Sequence, residues 1–523
     1  MSSLLSLRQV LRTALMLALL LGAHAAEAHV YVDWGAHALP LEEKIIAGVR
    51  IVQSQPPDLA HVTEIPSVVH IRFTGHVDPA ASTIVVTGPD GKVMNHGTPF
   101  IDSHDTHTFA VEITNGGTGK YMVDWHVISS DDGHITEGSF SFFVGESVSG
   151  LHSAAGEPLS EYSYSSGVRE GMSFWVEIVG EAILFGILVG LLGIFRPVLR
   201  HYSAEARQMG NVCPDFSLLF LGGSSLILIG IALYLGLKTW ELHAWSGKGL
   251  LPTFFLFLHT TAGTVALVRV ILVAICVFLF WRERKDMCER VTTSHGERIL
   301  LCTILLLIFA RASISHATAT AFYPYLSVFI AFLHLASKLL LIGLTIAMTV
   351  TFLPAFGRMK NFGLLLLPLA RFSRIASYAI AIGGITGLYI VWILMKSPAN
   401  LLTTEWGIRS FFLLLTAIIL FVMRFSHFFA VRRTIRRVEA RTISDGEART
   451  NLVQSLSWES FIGILLLLTV GILIATATPP GKVGEGGVFF TAMLFGSSLP
   501  LILSALMLSA LGRKMEALGS SDS

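Results

Sequence analysis

Three residues of this chain have the types and spacing of a metal chelate. Cleavage after Ala26-Glu27-Ala28 leaves His29 at the new amino terminus, where a free amine and an imidazole together offer a compact pair of nitrogen donors. The stretch from Gly119 to His134 then closes on Asp132-Gly133-His134, a carboxylate and an imidazole two residues apart. Mixed nitrogen and oxygen donors of this kind suit copper(II), so metal handling outside the cytoplasm is the first expectation. A second histidine pair, His104 and His107 in Asp102-Ser-His-Asp-Thr-His107, has the same chemistry available, with plain surface solvation as its alternative. His126 alternates with Trp125 and is expected to face away from the core, toward the site or toward water.

The flanking sequence decides where such a chelate is held. Arg8 and Arg12 precede an apolar run from Thr13 to Leu21, with small residues at the cut, so residues 1–28 are expected to be a signal peptide. Hydrophobic residues make up 53% of the chain and the mean hydropathy is +0.66, yet residues 29–170 are polar, histidine-rich and turn-rich. One soluble domain therefore precedes one membrane domain. The formal net charge of +1 offers no footing for nucleic acid. The four cysteines (Cys213, Cys276, Cys288 and Cys302) all fall in the membrane half, so no disulfide framework or thiolate site is expected in the exported domain. There is no Gly-x-x-x-x-Gly-Lys-Ser/Thr run and no Asp-Lys-Thr-Gly segment, which argues against nucleotide binding and ATP-driven pumping; no enzymatic activity is expected.

Within residues 29–146 the pattern has period two. Val69, Ile71 and Phe73 share one face; Tyr121, Val123, Trp125 and Val127 form a second stripe; Ser139 to Val144 reads as a third strand. Gly88-Pro-Asp-Gly91 and Asn115-Gly-Gly117 supply turns, which predicts a small antiparallel sandwich or barrel. Residues 147–171 mix Ser, Gly, Glu and Tyr without periodicity and read as a linker. From residue 172 to 511 apolar runs sized for a bilayer follow, near 172–195, 215–237, 252–280, 298–316, 325–352, 372–395, 408–428, 457–477 and 487–511, about nine spans, with a tail at 512–523. An exported amino-terminal domain makes the first span run outside to inside. Lys and Arg then divide twenty-one to five between the inner loops and tail and the outer loops, the five being Lys238, Lys248, Lys396, Arg409 and Lys482. The carboxyl terminus is thus expected in the cytoplasm of a cell whose inner membrane holds the protein.

Ionisable groups inside spans are costly and mark functional candidates. Glu177 and Glu181 lie one turn apart near the outer end of the first span, His259 about two turns into the third, His316 at the outer end of the fourth, and His334 and Lys338 one turn apart in the fifth. Nearly all fall in the outer half of the bilayer, where a cation delivered by the exported domain would enter. Arg311 in the fourth span is expected to pair with a carboxylate or to snorkel outward.

Residues 49–146 resemble the periplasmic copper-binding family CopC. The resemblance rests on Ser54-Gln-Pro56, then Gly119, Tyr121, Val123, Trp125, Asp132, Gly133, His134, Gly138, Phe140 and Phe142. It implies a cupredoxin-like β-sandwich, with copper(II) held by the mature amino terminus, its histidine, and Asp132 and His134. In the family pattern the mature histidine stands about six residues before the Ser of Ser-x-Pro, a place taken here by Gly48, so His29 reaches the site only if residues 30–47 fold back. His37 is another candidate for that first ligand. The membrane half resembles CopD, on Phe332-Leu-His334, Arg371-Phe-Ser-Arg374 leading to Ile385-Thr-Gly387, Glu405-Trp-Gly407, and Glu459 before a span closing at Pro479-Pro480; Arg409-Ser-Phe411 lacks the lysine common after the Gly in relatives.

The combined expectation is an all-β cupredoxin-like sandwich followed by an α-helical polytopic membrane domain. It captures copper(II) in the periplasm and passes it to the membrane half, with import favoured, the copper ion and the bilayer as partners, and periplasmic copper proteins as candidate further partners. Two other classes stay open: a haem- or quinone-binding redox protein using His259, His316 and His334, and a copper sensor or chaperone-docking protein without transport.

Overall fold

The computed structural model describes residues 49–476 except 50, 115, 131–134, 146–161, 165–166, 202–215, 247, 288–289, 291, 316–323, 357–364, 396 and 441. Of the candidate site residues named above, His29, His37, Asp132, His134 and His316 lie outside the described residues, as do the expected signal peptide, the ninth expected span and the expected tail.

The period-two stripes form strands: β1 Ile51–Gln55, β2 His61–Val62, β3 Val68–Phe73, β4 Thr83–Thr87, β5 Asn95–Ile101, β6 Thr108–Ile113, β7 Gly119–Ile128, β8 Ile135–Val144 and β9 Tyr162–Tyr164. One sheet has the order β1-β3-β6-β5 and the other β2-β8-β7-β4, with β2 and β9 sharing the outer edge of β8. Val69, Ile71 and Phe73 of the first sheet face Tyr121, Val123, Trp125 and Phe142 of the second, all fully or nearly fully buried. Phe73 meets Trp125 edge-on at 5.5 Å between ring centres, a favoured aromatic geometry that locks the two sheets face to face. Gly91 (φ 78°) and Gly117 (φ 87°) take the left-handed conformation that their turns require. The segment read as a linker is partly structured, since β9 hydrogen-bonds to β8 through Ile135, Thr136 and Glu137.

The helical half comprises α1 Gly167–Gly190, α2 Arg196–His201, α3 Ser217–Ser246, α4 Leu250–Leu258, α5 Thr261–Glu283, α6 His295–Ala312, α7 Pro324–Ala347, α8 Leu353–Phe356, α9 Leu366–Met395, α10 Asn400–Thr403, α11 Glu405–Glu439 and α12 Asp445–Ile474. Seven of the described segments are long and apolar enough to cross a membrane, so the chain is a polytopic membrane protein. The fourth expected span, 298–316, corresponds to α6, 18 residues long and packed within the bundle. The third expected span, 252–280, is not continuous: α4 stops at Leu258, and Thr260 caps a new helix by accepting from the Gly263 N–H. Helix α3 runs nine residues past the expected end at 237, because the Lys238 charge is neutralised inside the protein by Glu170 at 2.9 Å and Glu241 at 3.4 Å.

Helices α1 and α7 are built alike. They start at residues 167 and 324, each continues into a five-residue π turn starting at 191 and 348, and each then re-forms a short α-helix starting at 196 and 353; every offset is 157. The cause is local: Pro197 and Pro354 lack an N–H and crowd the carbonyl four residues earlier, so the preceding turn widens and the Arg196 and Leu353 N–H groups reach back to Leu191 and Met348. The likeness continues downstream, where α6 and α12 both open on a Ser-x-Gly-Glu capping box, Ser294 to Glu297 and Ser444 to Glu447. Among the described residues the long helices of the membrane domain thus fall into two tandem groups of four: α1, α3, α5, α6 and α7, α9, α11, α12. They meet where Gly186 and Gly343 bring the backbones of α1 and α7 into direct contact.

Candidate metal site

The strands that carry the expected chelate form the β7–β8 hairpin. Asp132 and His134 belong to the connection between Ser130 and Ile135, which lies outside the described residues. The residues leading into that connection are pinned: the Asp78 N–H donates to the Ile128 carbonyl (2.7 Å), the Ser130 N–H to the His76 carbonyl (3.0 Å), and the Ile128 N–H to the Ser82 hydroxyl (2.9 Å). The His76 ring lies 4.4 Å from the His107 ring, centre to centre, so two imidazoles stand together near Ser130, just past the end of β7. Asp105 orders this corner. Burial acts against its charge, but the His107 N–H, the Thr108 hydroxyl and the Arg72 guanidinium at 2.8 Å hold its carboxyl below the usual range. His104 is exposed on the surface. His76 escaped the sequence reading because it lies just past the end of β3 in no recognisable motif. Among the described residues no three His, Cys, Asp or Glu side chains converge on one metal-sized site.

Both roots of the hairpin rest on the membrane domain. Ile128, Ile135 and Ala81 pack with Tyr234, Leu242, Phe257 and Ala262 in one apolar cluster. Beside it, the Asp78 carboxylate accepts from the Thr261 N–H (2.8 Å) at the start of α5, placing a negative group on the positive end of a helix dipole. This contact also corrects the expectation for His126. The alternation of β7 ends at Asp124, and His126, Val127 and Ile128 are all buried. The sheet face that would otherwise meet water is covered where the two domains dock. Burial pulls the His126 pKa down to about 4, so the folded protein keeps this ring neutral. An unfolded chain takes up a proton near pH 6.5 and the folded chain only near 4, so stability is present above 6.5 and falls as pH drops between the two. Thermal unfolding of the full chain should show this slope, on the order of 3 kcal/mol in total, and His126→Leu should flatten it; an unchanged slope would remove His126 as its source.

Behind the docking face lie the intramembrane charges. Glu177 and Glu181 on α1 are 1% and 0% exposed. Each faces two guanidinium groups: Arg269 of α5 pairs with both, at 2.5 Å to Glu181, and Arg311 of α6 pairs with Glu177 and lies 3.6 Å from Glu181. The two carboxylates expected to receive a cation thus have their charge already balanced. Arg311 meets its expected carboxylate; Arg269 was missed, although an arginine in the middle of an apolar run demands a partner on a neighbouring helix. A second buried pair, Arg424 with Glu459 at 2.6 Å, joins α11 to α12. His259 is not two turns into a span but exposed at the end of α4, its Nδ1 2.7 Å from the Phe255 carbonyl, because of the helix break at Thr260.

His334 and Lys338 line a cavity of about 500 Å³ between α7, α9, α11 and α12. The His334 Nδ1 lies 3.0 Å from the Gly383 carbonyl and 3.2 Å from the Thr386 hydroxyl, which itself donates to Ile382. A carbonyl only accepts, so Nδ1 carries the proton and Nε2 keeps its lone pair, the arrangement of an imidazole set to act as ligand or proton acceptor. Next to this cavity lies a smaller one of about 50 Å³, bounded by Glu170, Glu177, Tyr234 and Ala262; Arg311, Ile314, Ser315 and Ile474 form walls of both.

Two family models match this one chain: that of the CopC domain over residues 51–145, the β-sandwich, and that of copper resistance protein D over residues 368–473, in the helical half. Over 473 residues the chain is 22% identical to the copper transport protein CutJ of Bacillus subtilis (strain 168), covering 89% of this chain and 80% of that protein. Protein YobA of Escherichia coli (strain K12) is 29% identical over 99 residues, 19% of this chain and 79% of YobA. Among solved structures, CopC from Methylosinus trichosporium OB3b aligns at 31% identity over 18% of this chain and 92% of its own, with a TM-score of 0.17. PcoC, a methionine-rich copper resistance protein from Escherichia coli, aligns at 21% identity over 19% of this chain and 99% of its own, also with a TM-score of 0.17.

Proposed function

We propose that this protein binds copper(II) on its amino-terminal sandwich and delivers it to the membrane domain, in copper homeostasis or resistance, with import as the direction. Asp132 and His134 supply two ligands and His29, after signal cleavage, the nitrogen donors that complete the set. The sandwich then stands in the periplasm, the bundle in the inner membrane and the carboxyl terminus in the cytoplasm, in keeping with the bias of Lys and Arg. The observation that carries the reading is the docking: the hairpin roots Ile128 and Ile135 pack on Tyr234 and Ala262, which bound the small cavity, and that cavity shares walls with the larger one that presents His334. That docking supports a hand-over from the sandwich to the membrane domain. CutJ, similar along nearly the whole length, is a copper transport protein.

The test is copper(II) titration of the purified full chain. Asp132→Ala with His134→Ala should weaken binding by about 100-fold or more, as expected when two of the ligands are removed, and should abolish the electron-paramagnetic signal of the bound ion. Unchanged affinity would reject the site. In cells, removal of the gene should lower copper content if the direction is inward, and His334→Ala should do the same while leaving the affinity of the sandwich intact; a rise in copper content would reverse the direction.

A further inference from the structure

The tandem units of the membrane domain carry the same site built in two ways. At the offset of 157, Glu177 corresponds to His334, Glu181 to Lys338 and Gly230 to Gly387. The correspondence is spatial as well, since a Cβ on Gly230 would meet Glu177 and a Cβ on Gly387 would meet His334. In the first unit, Phe174 and Tyr234 fill the space beside Glu177 and leave a cavity of about 50 Å³. Their counterparts are Ala331 and Val391, which line the cavity of about 500 Å³ beside His334. Two aromatic rings have been exchanged for small side chains, and the space they would occupy is open. Its volume is that of pockets that hold small organic ligands.

The polar groups in this otherwise apolar wall state what it takes. Trp406 and Ser410, one turn apart on α11, are 3% and 8% exposed, and neither the indole N–H nor the hydroxyl has a hydrogen-bond partner among the described residues. The Lys338 ammonium meets no carboxylate among the described residues, since Glu459 in the same wall is engaged by Arg424. Buried donors without acceptors are costly, and an ammonium and an indole N–H have no lone pair to offer a metal. The wall calls for an apolar molecule bearing acceptor oxygens. Lys338 stands fourteen residues into α7, about 20 Å along the helix, too deep for the charged phosphate of a phospholipid.

We propose that this cavity binds a lipid-soluble quinone. The flat ring and the start of its tail occupy the apolar space, the carbonyl oxygens accept from Lys338 and from the Trp406 and Ser410 side, and the free Nε2 of His334 accepts from a hydroxyl of the reduced form. The site belongs to the second tandem unit and does not depend on the copper reading.

Decylubiquinone titrated into the full chain in lipid nanodiscs, with tryptophan fluorescence as readout, should show saturable quenching. Ala331→Phe with Val391→Tyr restores the rings of the first unit and should abolish it. Lys338→Met keeps the volume, guards against misfolding of the filled variant, and should weaken binding by about tenfold or more, the loss of a charged donor. No saturable quenching in the unaltered chain, equal affinity in both variants, or a tightly held phospholipid that the quinone does not displace would each overturn the proposal.

Discussion

Replacing Glu177 by Gln should lower the stability of the full chain by about 3–5 kcal/mol, the cost of breaking a buried ion pair, and adding Arg311→Met should recover part of that loss. Two carboxylates and two guanidinium groups face one another here, none more than 7% exposed, so the cluster is neutral as a whole. Removing one carboxylate leaves a net positive charge in a medium that solvates it poorly. Removing an arginine as well restores neutrality and exchanges a buried pair for apolar contact, which in other proteins is often neutral or stabilising. The check is a double-mutant cycle on unfolding in detergent. Effects that simply add would show that the four charges are not coupled. The same cycle separates two roles for Glu177: if the carboxylate serves copper passage as well as packing, the double variant will be stable yet deficient in flux, whereas a purely structural cluster leaves flux unchanged.

How much of this was legible beforehand follows from the range of the physics involved. The period-two stripe Val69-Ile71-Phe73 is local and became a strand within one residue of expectation, while the strand expected at 139–144 begins four residues earlier, at Ile135. Spans were legible for the same reason: twenty apolar residues need no knowledge of their neighbours. The misses are long-range. His259 beside Thr260 is unusual for a membrane helix but does not announce a helix end, and the break there becomes intelligible only once the sandwich is present to place Asp78 on the new helix end. His126 alternates as an outward residue should, and is buried because a second domain covers that face. Arg269 and Arg311 announce that carboxylates must exist somewhere, but which ones is settled by packing among α1, α5 and α6. The tandem offset lay in the sequence throughout, as Glu-x-x-x-Glu and His-x-x-x-Lys each followed at the same distance by a proline. It is hard to see there because the paired positions differ in charge and agree only in place.

Gly343→Ala should be among the most damaging single substitutions in the bundle. A Cβ at this position falls inside the Ala182 backbone, and one on Gly186 would fall inside the Gly343 backbone, so α1 and α7 touch without intervening side chains. Overpacking a core with a methyl group typically costs 1–3 kcal/mol because a neighbouring side chain can turn aside. Here the neighbour is main chain and cannot, so the two helices must separate along their length, and a loss of about 3 kcal/mol or more is expected. Gly222→Ala is the control: nothing lies within 4 Å of its Cβ, and the better helix propensity of alanine makes it neutral or slightly stabilising. Thermal unfolding of the two variants side by side is the measurement, and equal midpoints would show that the helices do not meet at this point. The consequence reaches the polar residues, because Glu177 and His334 each lie nine residues before their contacting glycine, Gly186 or Gly343. One close contact thus sets the height of both sites, the arginine-filled one and the open one. A methyl group that forces the helices apart should also disturb the cavity at His334, which adds weaker decylubiquinone binding in any folded fraction to the expected loss of stability.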